Sequence, residues 1–142
     1  MKGMIFNITF NSEPAYLPII RSMVRGISSH NIENEGLIED IELSVHEALT
    51  NVMCHAYENE PNHQVSLSVG WSNEDITFEI RDTGHASLVP FAPPPVDEST
   101  ILDIESLLEC GRGLFFIYQL MDEISYTSER GENTLLLRKH FS

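Results

Sequence analysis

"HEALTNVMCHAY", residues 46–57, decides how this chain folds and what its longest helix is for. Ile38, Ile41, Val45, Ala48, Leu49, Val52 and Ala56 recur at helical spacing, which predicts an amphipathic helix from Gly36 to about Tyr57. That face is a core face. A second stripe runs beside it: Asp40, Ser44, Glu47, Asn51 and His55 fall within about 80° of arc at about 100° per residue. A polar stripe is usually a solvated face. Asn51 is what a solvated face leaves unexplained, because asparagine is a poor helix former that favours caps and turns.

Outward from that helix, the remaining elements alternate in type. "GMIFNITF" (3–10) alternates as a first strand, and "EPAYLPIIRSMVRGISS" predicts a helix over about 14–29 with Pro14 at its start. "ENEPNH" (58–63) is a turn. "QVSLSVGW" (64–71) and "DITFEIRD" (75–82), split by "SNE", predict an antiparallel hairpin. "TGHASLVPFAPPPVDEST" (83–100) is loop-like, and "ILDIESLLE" adds a short helix before "CGRG". A helix should run from near Arg112 to near Met121, and "EISYTSE" and "NTLLLRKH" close the chain as two strands about Gly131. With 142 residues, no internal repeat and no break in composition, one domain is expected. The long connection from Ser87 to Cys110 has the length of a binding loop or lid, or equally of a disordered insertion, and it carries five acids and no base.

Composition narrows the function classes. The chain is 42% hydrophobic and 8% aromatic, so it is globular, and no run of about 18 apolar residues suggests a membrane span. The first residues alternate instead of forming a signal-peptide core. Twenty-two acids against eight bases give a net charge of −14, which repels nucleic-acid phosphates and attracts a basic protein partner. The only lysines are Lys2 and Lys139, so no interior lysine serves a Walker A loop, a protein-kinase strand or a Schiff base. A polyphosphate would have to be held by backbone amides, a metal and an arginine. Cys54 and Cys110 make no disulfide framework, and two thiols fit a reducing cytoplasm.

Two further stretches carry chemistry. In "EIRDTGHAS" a strand ends at Asp82 and Gly84 follows; a carboxylate there can accept a hydrogen bond from an exocyclic amine such as adenine's. In "CGRGLFFIYQLMDE" two glycines bracket Arg112 and open an apolar helix. Bare amides at a helix start can bind anions and Arg112, almost alone in an acidic half-chain, can contact a phosphate; a helix entry whose glycines serve packing reads the same way. Phe116 stands where a dinucleotide fingerprint needs its third glycine.

Taken in order, Glu-x-x-x-Asn on a helix, Asp-x-Gly after a strand, a lid, and Gly-x-Gly opening a helix resemble the GHKL (histidine-kinase-like) ATPase superfamily. Within it, "GRGLFFIYQLMDEISY" and "GENTLLLRK" resemble the anti-sigma-factor serine/threonine kinase branch. The resemblance covers nearly the whole chain. It implies an α+β two-layer sandwich of the Bergerat ATP-binding type: a mixed, mostly antiparallel sheet with helices on one face. It also implies a single ATP-binding domain over 1–142 with an ATP lid over about 85–111.

The same resemblance implies a role for each site residue. Glu47 is the general base toward the attacking hydroxyl, and Asn51 offers its side-chain oxygen to Mg²⁺. Asp82 takes the adenine amine and Gly84 keeps that corner open. Gly111, Arg112, Gly113 and Leu114 hold the phosphates, and His55 and Ala56 line the helix end beside the nucleotide. ATP and Mg are then the cofactors. The partners are the phosphoacceptor serine or threonine of an anti-anti-sigma protein, a sigma factor, and a second copy in a homodimer. Two departures stand out. Ala86 occupies the place of a second glycine after Asp-x-Gly, and the threonine that follows the late glycine is displaced to Thr134.

Other classes lack their residues. HExxH needs a histidine where Thr50 stands, so "HEALT" is no zinc protease motif. His46 lies off the Glu47–Asn51 stripe and has no dimerisation helix pair of a phosphoacceptor histidine, and no GxSxG elbow supports a serine hydrolase. The alternative that remains is a non-catalytic binding module of the same fold, capturing a signalling partner with or without ATP.

Overall fold

Glu35–Asn51 is the helix that the apolar stripe predicts, and everything that positions the site hangs on it. The structure is a computed structural model that describes residues 3–58, 60–85 and 117–142, with His55 described in its backbone only. Its elements are β1 (Phe6–Asn11), a 3-10 turn (Pro14–Tyr16), α1 (Leu17–Asn31), α2 (Glu35–Asn51), β2 (Gln64–Trp71), β3 (Asp75–Asp82), β4 (Glu123–Glu129) and β5 (Glu132–His140). A short helical segment at 117–120 precedes β4.

Asn34 caps α2, its side chain accepting the Leu37 N–H at 3.2 Å, and the chain enters the helix in extended conformation as an N-cap must. After Asn51 the helix widens. Residues Val52–Ala56 form a π-helical turn, closed by the Tyr57 N–H on the Val52 carbonyl five residues back at 3.1 Å. The sequence predicts the extent of this helix and misses the change of hand-hold. Regular i→i−4 bonding stops one residue past the asparagine, and such single-turn bulges concentrate at functional sites.

The strands form one sheet in the order β1-β2-β3-β5-β4, every pair antiparallel. The expectation of a mixed sheet is thus simplified: the described strands need no parallel pair. Period two sorts the faces. Val65, Leu67, Val69, Ile76, Phe78, Ile80, Leu135 and Leu137 face inward and are buried. Ser66, Glu79, Arg81 and Thr134 alternate with them on the other face. Against the inner face pack Ile20 and Val24 of α1 and Ile38, Ile41, Val45, Ala48 and Leu49 of α2, with Ile117 and Met121 completing one core cluster. The α+β two-layer architecture is therefore as expected.

Ion pairs tie α1 to α2. Glu42 accepts from Arg21 at 2.6 Å and from Arg25 at 2.8 Å, and Arg25 also pairs with Glu35. Burial alone would raise the Glu42 carboxyl, but the two guanidinium groups outweigh it and hold it below the usual carboxylate range. Beside them His46 is pushed down by burial, and its Nδ1 is buried without a partner.

One expectation is corrected. Cys54 is disulfide-bonded rather than a free thiol. Cys110 lies outside the described residues. Bridging depends on Cα and Cβ placement in space, which spacing along the chain does not disclose. Among the described residues no helix is long and apolar enough to cross a membrane.

Candidate functional site

The site is built where α2 ends against the end of β3. Glu47 sits half-buried on α2 and Asn51 one turn later, only 8% exposed. The Asn51 side-chain oxygen is buried and accepts no hydrogen bond. An unmet buried acceptor costs about 1–3 kcal/mol, a cost that a ligand at this oxygen would relieve. Ser44, on the same predicted stripe, is spent locally: its hydroxyl returns to the Asp40 carbonyl at 2.8 Å, and it is fully buried.

Asp82 ends β3 on the inner face of the sheet, in phase with Ile76, Phe78 and Ile80, and is 6% exposed. Its Oδ1 accepts two bonds, from the Asn133 side-chain amide at 2.8 Å and from the Gly84 N–H at 3.0 Å. Burial pushes this carboxyl up, and the Asn133 and Gly84 donors pull against that rise. Asn133 is itself 2% exposed and stands directly opposite Asp82 in the β3–β5 register. The Ser128 hydroxyl donates to the Asn133 Oδ1 at 2.7 Å, and the Asn133 amide reaches the Gly84 carbonyl at 3.0 Å.

Gly84 is required by a close approach rather than by an open corner. A Cβ there would lie 2.2 Å from the Ala56 carbonyl oxygen. The neighbouring His85 N–H donates to that same oxygen at 2.8 Å. Tyr57 locks the corner from the other side: its hydroxyl accepts the Thr83 N–H at 2.9 Å and donates to the Gln64 carbonyl at 2.5 Å. Thus the π turn after Asn51 and the Asp82-Thr83-Gly84 turn are bonded backbone to backbone. A cavity of about 320 Å³ opens beside this junction, lined among others by Tyr57, His63, Gly84 and His85. Neither Asp82 nor Asn51 is in its wall.

Of the residues singled out in the sequence, Glu47 and Asn51 share α2, and Ala56, Asp82 and Gly84 meet at its end. The side chain of His55 is not described. Gly111, Arg112, Gly113, Leu114 and the predicted lid beyond His85 lie outside the described residues. The helix that follows them is anchored at its far end, where the Lys139 ammonium donates to the Leu120 carbonyl at 2.6 Å. Thr134 pairs with Arg81 and so stands on the face of the sheet opposite Asp82. Asn133 and Tyr57 are the residues that sequence reading missed. Asn133 had a signal: it is an amide on the inward parity of a strand whose other inward residues are Leu135 and Leu137.

An inward carboxylate at a strand end, a buried unmet amide oxygen and a carboxylate one turn before it are what this α+β sandwich carries at the site. The chain belongs to the histidine kinase-like ATPase family, whose domain matches residues 10–139, and within it to the anti-sigma serine kinase branch. It is 30% identical over 128 residues to the serine-protein kinase RsbW of Bacillus velezensis, covering 84% of this chain and 76% of that protein. It is 29% identical over the same length to RsbW of Bacillus subtilis, with the same coverage. Its fold is similar to the RsbU and RsbW domains of Rv1364c from Mycobacterium tuberculosis, with a TM-score of 0.62 at 15% identity, over 94% of this chain and 31% of that one. The structure of the SiaB–SiaC complex from Pseudomonas aeruginosa is similar over 96% of this chain and 89% of that chain, with a TM-score of 0.64 at 14% identity. These two likenesses concern the fold.

Proposed function

We propose that this protein is an ATP-dependent anti-sigma factor serine/threonine kinase. It phosphorylates an anti-anti-sigma protein and sequesters a sigma factor. The observation that carries the reading is the Asn51 oxygen, buried and unpartnered one turn after Glu47. A hard divalent cation takes oxygen ligands of this kind. Among the described residues no group of three or more His, Cys, Asp or Glu is placed to hold a metal. Asn51 would therefore hold Mg²⁺ together with phosphate oxygens and water, and the ion would neutralise charge on the transferring phosphoryl group.

This chain's residues supply the positioning. Asp82 keeps Oδ2 for the adenine amine, since its Oδ1 is already engaged. Gly111, Arg112, Gly113 and Leu114 hold the phosphates, the segment over about 85–111 closes as the lid, and His55 and Ala56 border the nucleotide; all of 1–142 serves as one ATP-binding domain. Glu47 orients the acceptor hydroxyl and receives its proton as the serine oxygen–phosphorus bond forms and the bond from the γ-phosphorus to the bridging oxygen breaks, releasing ADP.

Partner choice follows charge and edges. At −14, the surface favours a basic sigma-factor segment. A homodimer is supported by β1, an edge strand without a charged residue, whereas the opposite edge, β4, carries Glu123 and Glu129. The test is phosphotransfer from radiolabelled ATP to a cognate anti-anti-sigma protein, with Glu47→Gln alongside. Labelling by the wild type and about a thousandfold less by Glu47→Gln supports the kinase. Nucleotide binding with no labelling would instead indicate a regulatory module that captures its partner without transferring phosphate.

A further inference from the structure

We infer that Asn133 is the positioning residue for base recognition: by occupying Oδ1 of Asp82 it aims Oδ2 at the base edge and makes the site read a 6-amino rather than a 6-oxo purine. This rests on the nucleotide reading above and deepens it. The likeness in the β5 region is carried by "GENTLLLRK", Asn133 included, and it implies no role for that amide.

The geometry gives Asn133 one orientation. Its Oδ1 accepts from the Ser128 hydroxyl at 2.7 Å, so its amide N–H groups must face the other way, where Asp82 Oδ1 lies at 2.8 Å and the Gly84 carbonyl at 3.0 Å. An asparagine turned end for end would set its oxygen against the carboxylate and against a carbonyl, acceptor facing acceptor. Because Gly84 N–H donates to the same Oδ1 at 3.0 Å, that oxygen carries two donors and the carboxylate cannot rotate without losing both. Oδ2 is the atom left to accept. An exocyclic amine satisfies it, and a 6-oxo group, itself an acceptor, is repelled. Sites built on such a buried acceptor reject the wrong partner strongly, because the mismatch leaves a polar group unmet.

The charge state is part of the device. Burial favours the neutral acid at Asp82, and Asn133 is the first of the two groups that oppose it. Glu47 on α2, Tyr57 and Glu58 at its end, Arg81 and His85 along the Asp82 segment, and Glu132 on β5 are the titratable groups on the surrounding elements. None of them is among the influences that move Asp82. Removing the amide therefore leaves the carboxyl both freer to turn and easier to protonate. A protonated carboxyl donates, and a donor suits the 6-oxo group instead.

The experiment is calorimetric titration of the full chain with Mg-ATP and with Mg-GTP from pH 8 to pH 5, for wild type, Asn133→Leu and Ser128→Ala. Wild type should prefer ATP, and Asn133→Leu should lose about tenfold or more of its ATP affinity with a smaller loss for GTP. Its loss of ATP affinity on acidification should begin at higher pH than in wild type, which damage to packing alone would not produce. Ser128 lies on an exposed edge and its removal leaves the core intact, so Ser128→Ala should shift the ATP-to-GTP ratio in the same direction even if Asn133→Leu fails to fold. An unchanged ratio in a folded Asn133→Leu, or in Ser128→Ala when the former is unfolded, overturns the inference alone. No ATP binding by wild type overturns the nucleotide reading and the inference with it.

Discussion

At the scale of single residues, the site holds groups that cost the apo protein stability. Asp82 is a buried carboxylate whose pKa burial raises. A group whose folded pKa lies above its unfolded value destabilises the fold where it is ionised, and that cost is relieved as pH falls through the folded pKa. Asp82→Asn keeps an oxygen for Asn133 and Gly84 but puts an amide where Oδ2 stood. It should raise the melting temperature of the apo protein near neutral pH and abolish ATP binding, both read from melts with and without Mg-ATP. An apo melting temperature that falls while ATP still binds would contradict the assignment. Gly84→Ala makes the opposite case. Its Cβ would lie 2.2 Å from the Ala56 carbonyl oxygen and 2.8 Å from the Tyr57 ring, whose hydroxyl is held by two hydrogen bonds, so the backbone itself must shift. A loss of about 1–3 kcal/mol is expected in urea unfolding.

At the scale of elements, the two helices are joined by a clamp that acid should open in two stages. His46 is held down by burial, so below about pH 6.5, where the unfolded histidine binds its proton, the folded state loses stability. Glu42 is held down by Arg21 and Arg25, and its contribution is lost only at lower pH, as its folded carboxyl is protonated. His46→Gln should remove the upper stage and leave the lower one in a pH series of thermal melts; an unchanged upper stage would assign it elsewhere. Elements of this kind were legible in the sequence. β2, β3 and β4 begin and end where alternation and turn residues put them, because one face of each is buried and period two records it. The apolar stripe of α2 likewise named its core residues. What stayed hidden is what depends on contacts distant in sequence. The π turn at Val52–Ala56 answers to Gly84 and His85 packing against Ala56, and the state of Cys54 depends on where another sulfur comes to lie. Asn51 and Asp82 were readable as odd residues on ordered elements; that Asn133 holds Asp82 required the β3–β5 register.

At the scale of the whole molecule, charge sets the terms of binding. A protein of net charge −14 repels ATP as well as nucleic acid, so ATP without a divalent ion should bind poorly, and the proposed complex with a basic sigma-factor segment should weaken as salt is raised. The central claim is that the unmet oxygen of Asn51 belongs to a magnesium-nucleotide site. Thermal melts of wild type and Asn51→Ala, each with and without Mg-ATP, test it most directly. Deleting an unsatisfied buried acceptor should leave the apo melting temperature level or slightly higher. At about a hundred times its dissociation constant, Mg-ATP adds about 2.7 kcal/mol of stability, a rise of about 5–10 °C for a chain of this size. The account predicts that rise in wild type and none in Asn51→Ala. An equal rise in both proteins, or no rise in either, would contradict it.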